Sequence, residues 1–247
     1  MTETITAGAG APAAPKGLPS RAIGVLFSPR ATYADVVARP RVLGILALTV
    51  LIIATGSVIF FSTEVGKNAL LDQQVKGAES FGIKVSDEMY QRMEEGLARP
   101  TTPYITAVSQ IVFIPIIGLI VSGILLAVFN AGLSGDATFK QVFAIVAHAG
   151  VITAVQQCFA FPLDYASESL SSPTALSVFL PFLEETSFAS RFFGSIDLFI
   201  LWWVVNLAIG LGVLYKRRTR PIATGLLITY VTIVLVIAIV RTALSGA

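Results

Sequence analysis

Five apolar runs of membrane length constrain this chain more than any other feature. They cover residues 42–62, 104–130, 140–161, 192–215 and 221–240. Each holds roughly 20–27 residues, enough for a hydrocarbon core ~30 Å thick at about 1.5 Å of rise per residue. One buried helix of a soluble protein can be this apolar. Five within 247 residues cannot, because a domain of that size has no interior large enough to hide them. Charged residues make up 13% of the chain, about half of the roughly 25% usual in soluble domains, and mean hydropathy is +0.79. The implied fold is all-α: a polytopic membrane protein built as a five-transmembrane-helix bundle in one domain, residues 42–243. A cytosolic enzyme, a secreted disulfide scaffold and a disordered tail protein are excluded. A formal net charge of +2 is too near balance to imply nucleic acid. Cys158 and His148 are the only residues of their types, so one chain can form no disulfide and no His/Cys metal cage. No cofactor is expected.

Residues 1–20 are rich in Ala, Gly and Pro and lack the basic start and apolar stretch of a signal peptide; they read as a disordered arm. The segment 21–41 is expected to hold one amphipathic helix. Ser28 is its cap, Pro29 its first residue and Pro40 its end. Tyr33, Val36 and Val37 share one face, suited to the membrane interface or to a soluble helix beside it.

Five spans put the termini on opposite sides, and Lys and Arg decide which is which. With a cytoplasmic N-terminus, ten cations lie inside and seven outside. The strongest cue is Lys216-Arg217-Arg218-Thr219-Arg220, a short loop with four cations and no acid. With Arg39 and Arg41 these cations form an expected collar against anionic headgroups of the inner leaflet. Its plainer role is to fix orientation during insertion. The segment 164–185 carries four acids and no cation, which suits the outer side. The outer loop 63–103 mixes seven acids with five bases. Ser86-Asp87-Glu88 marks a helix start there, and one or two helices are expected, as a solvated hairpin or as a partner-binding or lid element.

Three stretches carry a family resemblance. One is Leu26-Phe27-Ser28-Pro29-Arg30 with Arg39-Pro40; another is Gly135-Asp136-Ala137-Thr138-Phe139-Lys140-Gln141-Val142. The last is Asp197-Leu198-Phe199-Ile200-Leu201-Trp202, with Gly210-Leu211-Gly212 further on. In this order along five spans the chain resembles the Yip-domain membrane proteins, in particular their prokaryotic branch. The resemblance implies a five-span bundle with a cytoplasmic N-terminus, here in a bacterial inner membrane. Eukaryotic members are associated with Rab-type GTPases. The Asp-Leu-Trp-Gly-Pro and Gly-Tyr-Gly stretches through which those members resemble one another are absent, and Ala147-His148-Ala149-Gly150 lies where the second would fall.

Polar side chains inside a membrane are costly and therefore candidates for function. Gln110, Gln157 and Asp197 fall roughly 6–10 Å below the outer ends of their spans, taking ~1.5 Å per residue. With Gln156 one residue deeper, they are expected to form an outer polar layer. His148, Asn206, Ser122 and Thr229 fall roughly 12–15 Å above the inner ends by the same rise, as a second layer. Asp197 admits three roles: a carboxylate favoured at a helix N-terminus, a hydrogen-bond partner of Gln157 or Gln110, or a proton- or ion-handling group. His148 reads as an interhelical hydrogen-bond donor or a proton relay, and Asn206 and the glutamines as glue between helices. Pro115 should kink or loosen the second span.

No nucleophile–base pair, paired carboxylate or phosphate-cradling loop appears. The expected function is a non-enzymatic membrane organiser or scaffold acting through lipids, a membrane-protein partner or a second copy of itself. The alternative is a small transporter or channel that uses the intramembrane polar residues.

Overall fold

Helix-breaking and capping residues divide the apolar runs more finely than hydropathy does. The structure, a computed structural model, describes residues 16–133, 135–184 and 187–244. Residues 1–15 of the arm expected at 1–20, and Glu185 of the acidic segment, lie outside them. The described residues fold into eleven α-helices and one 3₁₀ turn.

Helix α1 (Leu18–Phe27) begins inside the expected arm, and α2 (Pro29–Ala38) follows after one residue. The single helix expected over 21–41 is therefore a helical hairpin. Ser28 makes the corner: its N–H closes α1 on the Gly24 carbonyl at 2.8 Å, and its side chain caps nothing. Tyr33 and Val36 of the expected face are fully buried, and Val37 packs beside them. That face turns into the bundle rather than towards the membrane interface.

Helix α3 (Leu43–Phe61) runs to the opposite end of the bundle. There α4 (Glu64–Ser80) and α5 (Asp87–Ala98) form the outer-loop helices, with Thr63 and Ser86 as side-chain N-caps. Helix α6 (Thr102–Leu133) returns, and it stays an unbroken helix through Pro115. The third run is two helices, α7 (Phe139–Ala149) and α8 (Val151–Ser167), jointed at Gly150. A 3₁₀ turn at Leu176–Phe179 and α9 (Phe188–Gly194) precede α10 (Leu198–Leu214) and α11 (Thr219–Leu244).

Four helical stretches are long and apolar enough to cross a membrane: α3, α6, the α7–α8 run Phe139–Ser167, and α11. Helix α10 is equally apolar but has 17 residues. The expected start of that span at Phe192 is wrong by six residues. The chain turns at Ser195 and Ile196, and Asp197 starts the helix anew by capping it.

Helices α7 and α10 form the centre. Their Val142, Ile145, Ala149, Leu207, Ala208 and Leu211 bury against Val25, Tyr33 and Val36 of the hairpin. Gly210 makes this approach possible, since a Cβ there would collide with Ile145 and lie 3.2 Å from the Tyr33 ring. In its most apolar stretch the α7–α8 run is 56% buried, against 11% for α6 and 17% for α11. Helices α6 and α11 thus offer most of their apolar surface outwards, as lipid contact requires.

Candidate functional site

The hairpin, the two joints α6–α7 and α10–α11, and the basic loop all lie at one end, called here the basic end. Helices α4 and α5 and the loop from 168 to 197 lie at the far end.

At the far end, α3, α6 and α8 diverge around a cavity of about 260 Å³. Ser57, Gln110, Gln156, Gln157 and Asp164 line it, with Phe61 and Phe161 as its aromatic walls. Gln157, Phe161 and Asp164 share one face of α8 by their i, i+4, i+7 spacing. Gln73 of α4 and the segment Leu170–Ser172–Pro173 roof the cavity, joined by a hydrogen bond from Gln73 Nε2 to the Leu170 carbonyl at 3.4 Å. Gly56 lets Phe161 approach closely, as a Cβ there would lie 2.8 Å from its ring. Ser57 is fully buried and Asp164 is 5% exposed. Ser57 Oγ, Gln110 Oε1 and Asp164 Oδ1 are buried and have no hydrogen-bond partner among the described residues.

The structure thus brings Gln110 and Gln157 together, but Asp197 bonds to neither. Asp197 Oδ1 accepts the N–H groups of Phe199 at 2.7 Å and Ile200 at 3.3 Å, which caps α10. Its Oδ2 accepts the hydroxyls of Ser172 at 2.5 Å and Thr174 at 2.6 Å. The carboxylate therefore ties the cavity roof to the start of α10.

The expected inner layer does not assemble. Ser122 and Thr229 donate to carbonyls four residues back in their own helices, as short hydroxyl side chains do when no other acceptor is in reach. His148 Nδ1 does likewise with the Ala144 carbonyl at 2.7 Å, so Nδ1 carries the proton. Asn206 alone bonds across elements. Its Oδ1 accepts the Tyr33 hydroxyl at 2.8 Å, and its Nδ2 donates to the Val25 carbonyl at 3.2 Å. Burial raises the Tyr33 pKa above its ordinary value, so the phenol stays a donor. Beside this network Arg21, 3% exposed, pairs through Nε with Asp35 at 2.9 Å and donates to the Arg39 carbonyl at 3.1 Å.

The collar also differs from its expected form. A groove of about 900 Å³ is lined by Lys216, Arg217, Arg218 and Arg220 together with Arg30 of α2. Among the described residues no acidic one lines it. Arg39 and Arg41 are not part of it. Arg39 follows the other end of α2, where it approaches Asp35 at 3.7 Å, whereas the residues of that helix that line the groove are Arg30 and Ala34.

A family model for the Yip1 domain matches residues 23–241. The chain belongs to the Yip1 domain family. No curated protein and no solved structure matches it.

The three stretches that resemble the Yip1 domain fall at structural joints. The first is the Ser28 corner between α1 and α2. In the second, Thr138 and Gln141 form a reciprocal capping box that starts α7. In the third, Asp197 caps α10, and Gly210 admits Tyr33 and Ile145. Sequence reading missed Asp164, Ser57, Arg30 and the Arg21–Asp35 pair. The helical spacing of Gln157, Phe161 and Asp164 was a usable signal for the first.

Proposed function

We propose that this Yip1-domain chain is a non-enzymatic membrane organiser that crosses the bilayer five times and docks its basic end on anionic headgroups. Helix α10 is the fifth crossing, since 17 residues lie at the short limit of a spanning helix. By the positive-inside rule the basic end and the N-terminus are cytoplasmic, and the C-terminus is external, in a bacterial inner membrane. One observation carries the reading: Arg30 joins Lys216, Arg217, Arg218 and Arg220 in a groove that no acid lines among the described residues. Such a groove favours phosphate-bearing headgroups, at about 1 kcal/mol per cation near an anionic leaflet.

The test replaces Lys216, Arg217 and Arg218 by Gln. Arg220 and Arg30 remain to hold orientation. The correctly inserted variant should copurify with less anionic lipid, the more so at high salt. Unchanged lipid content would leave the groove a topological signal. A second reading, a small transporter, is favoured by the polar cavity at the far end. It needs a path through the apolar centre formed by α7 and α10.

A further inference from the structure

The far-end cavity has the chemistry of a binding site, and this holds whether or not the basic groove takes lipid. Its three unpaired buried atoms, Ser57 Oγ, Gln110 Oε1 and Asp164 Oδ1, are all oxygens. Gln110 Oε1 and the Asp164 carboxylate oxygen accept, and the Ser57 hydroxyl can accept or donate; a buried acceptor without a donor costs about as much as a lost hydrogen bond, so the site favours an occupant rich in N–H or O–H. Among the described residues Asp164 is the only ionisable one in the lining, and no Lys, Arg or His opposes it there. An anion is therefore repelled. A divalent metal ion is a poor match, because one carboxylate among neutral oxygens in about 260 Å³ supplies neither the charge nor the close cage it demands. Phe61 and Phe161 add aromatic rings to the lining, one face of Phe161 being stacked on Phe60, and aromatic rings are compatible with a cation. A neutral polyol would leave the carboxylate uncompensated.

We propose that this cavity binds a primary ammonium group, carried by an ethanolamine lipid headgroup of the adjoining leaflet or by a free small amine. An –NH₃⁺ group has three donors and no acceptor, which is the complement of the unpaired oxygens. Gln156 and Gln157 line the same space and can hold the oxygen-bearing remainder of such a molecule. The roof formed by Gln73 and the segment 170–173 closes the site from the far end.

The full chain in phosphatidylcholine nanodiscs tests this, with bound lipid counted by native mass spectrometry and stability read by thermal shift. Adding phosphatidylethanolamine should give retained ethanolamine lipid if the headgroup is the source. Free ethanolamine in pure phosphatidylcholine should raise the melting temperature if a soluble amine is the source. In either arm, Asp164→Asn, which keeps the side chain's shape, should weaken binding about tenfold or more, as loss of a charge-assisted hydrogen bond does. Ser57→Ala should weaken it less. Choline should bind more weakly than ethanolamine, since a quaternary nitrogen has no N–H to give. If neither source is bound, if choline binds as well as ethanolamine, or if Asp164→Asn binds ethanolamine unchanged, the proposal is overturned. A lipid defect in the Lys216/Arg217/Arg218 variant bears on the other end alone, so the two failures are distinguishable.

Discussion

The two ends of the bundle handle buried polarity in opposite ways. At the basic end Arg21, Tyr33 and Asn206 are each almost wholly buried, and each bonds across elements, to α2, α10 and α1. The unpaired buried atoms described near that end, His148 Nε2, Thr49 Oγ1 and Arg39 Nη1, line neither the groove nor the cavity, and the last lies 3.7 Å from Asp35. At the far end three unpaired oxygens surround one cavity, and the buried apolar cluster there is Phe60, Phe61 and Ala69 alone. Satisfied polar groups inside a large core fix a fold; unsatisfied ones around a space are arranged for something that enters it. The amine site proposed above therefore lies apart from the paired polar groups of the core.

Substitutions can break that comparison. The largest effect is expected from Asp35→Asn or Arg21→Ala, which strand one partner of a buried ion pair, at about 3–5 kcal/mol. Thermal unfolding of purified protein should show it, and Arg21→Met with Asp35→Leu should recover much of the loss. Next is Tyr33→Phe, which leaves Asn206 Oδ1 buried without its donor, at about 1–3 kcal/mol. An unchanged melting temperature would mean that water reaches Asn206 and the basic end is not dry. Asp197→Leu removes the α10 cap and both hydroxyl bonds, with about 1–2 kcal/mol from the cap alone. Asp197→Asn keeps an acceptor for Phe199 and should lose less, as parallel melting curves would reveal. The smallest effect belongs to Ser57→Ala. It removes an oxygen with no partner, so without ligand the melting temperature should stay put or rise slightly. A clear fall would show that Ser57 is a structural group and erase the contrast.

Hydropathy placed the long helices because lipid contact demands an apolar surface along a whole span. It misplaced the start of α10 because Phe192, Phe193 and Ile196 are as apolar as the helix that follows. The break lies in the cap at Asp197, an acid just before an apolar run, and that local signal was legible. The hairpin was read as a helix at the membrane interface or a soluble one beside it, because an amphipathic face does not say whether lipid, water or protein covers it. Only the tertiary fold brings Arg21, in the first helix, against Asp35, and Tyr33 against Asn206, 173 residues away. Shared depth correctly grouped Gln110 with Gln157. It failed for Asp197, since depth along an axis leaves the angle around that axis open.

Asp197 also has a kinetic consequence. One carboxylate holds Ser172 and Thr174 with one oxygen and the first turn of α10 with the other. A molecule leaving the cavity past Ser172 and Pro173 has to break the first set of bonds or drag on the second. The roof is thus latched to the bundle, and for the amine proposed above the latch would add a barrier to passage by this route. Weakening the latch should speed arrival and departure together and leave the equilibrium between them nearly where it was.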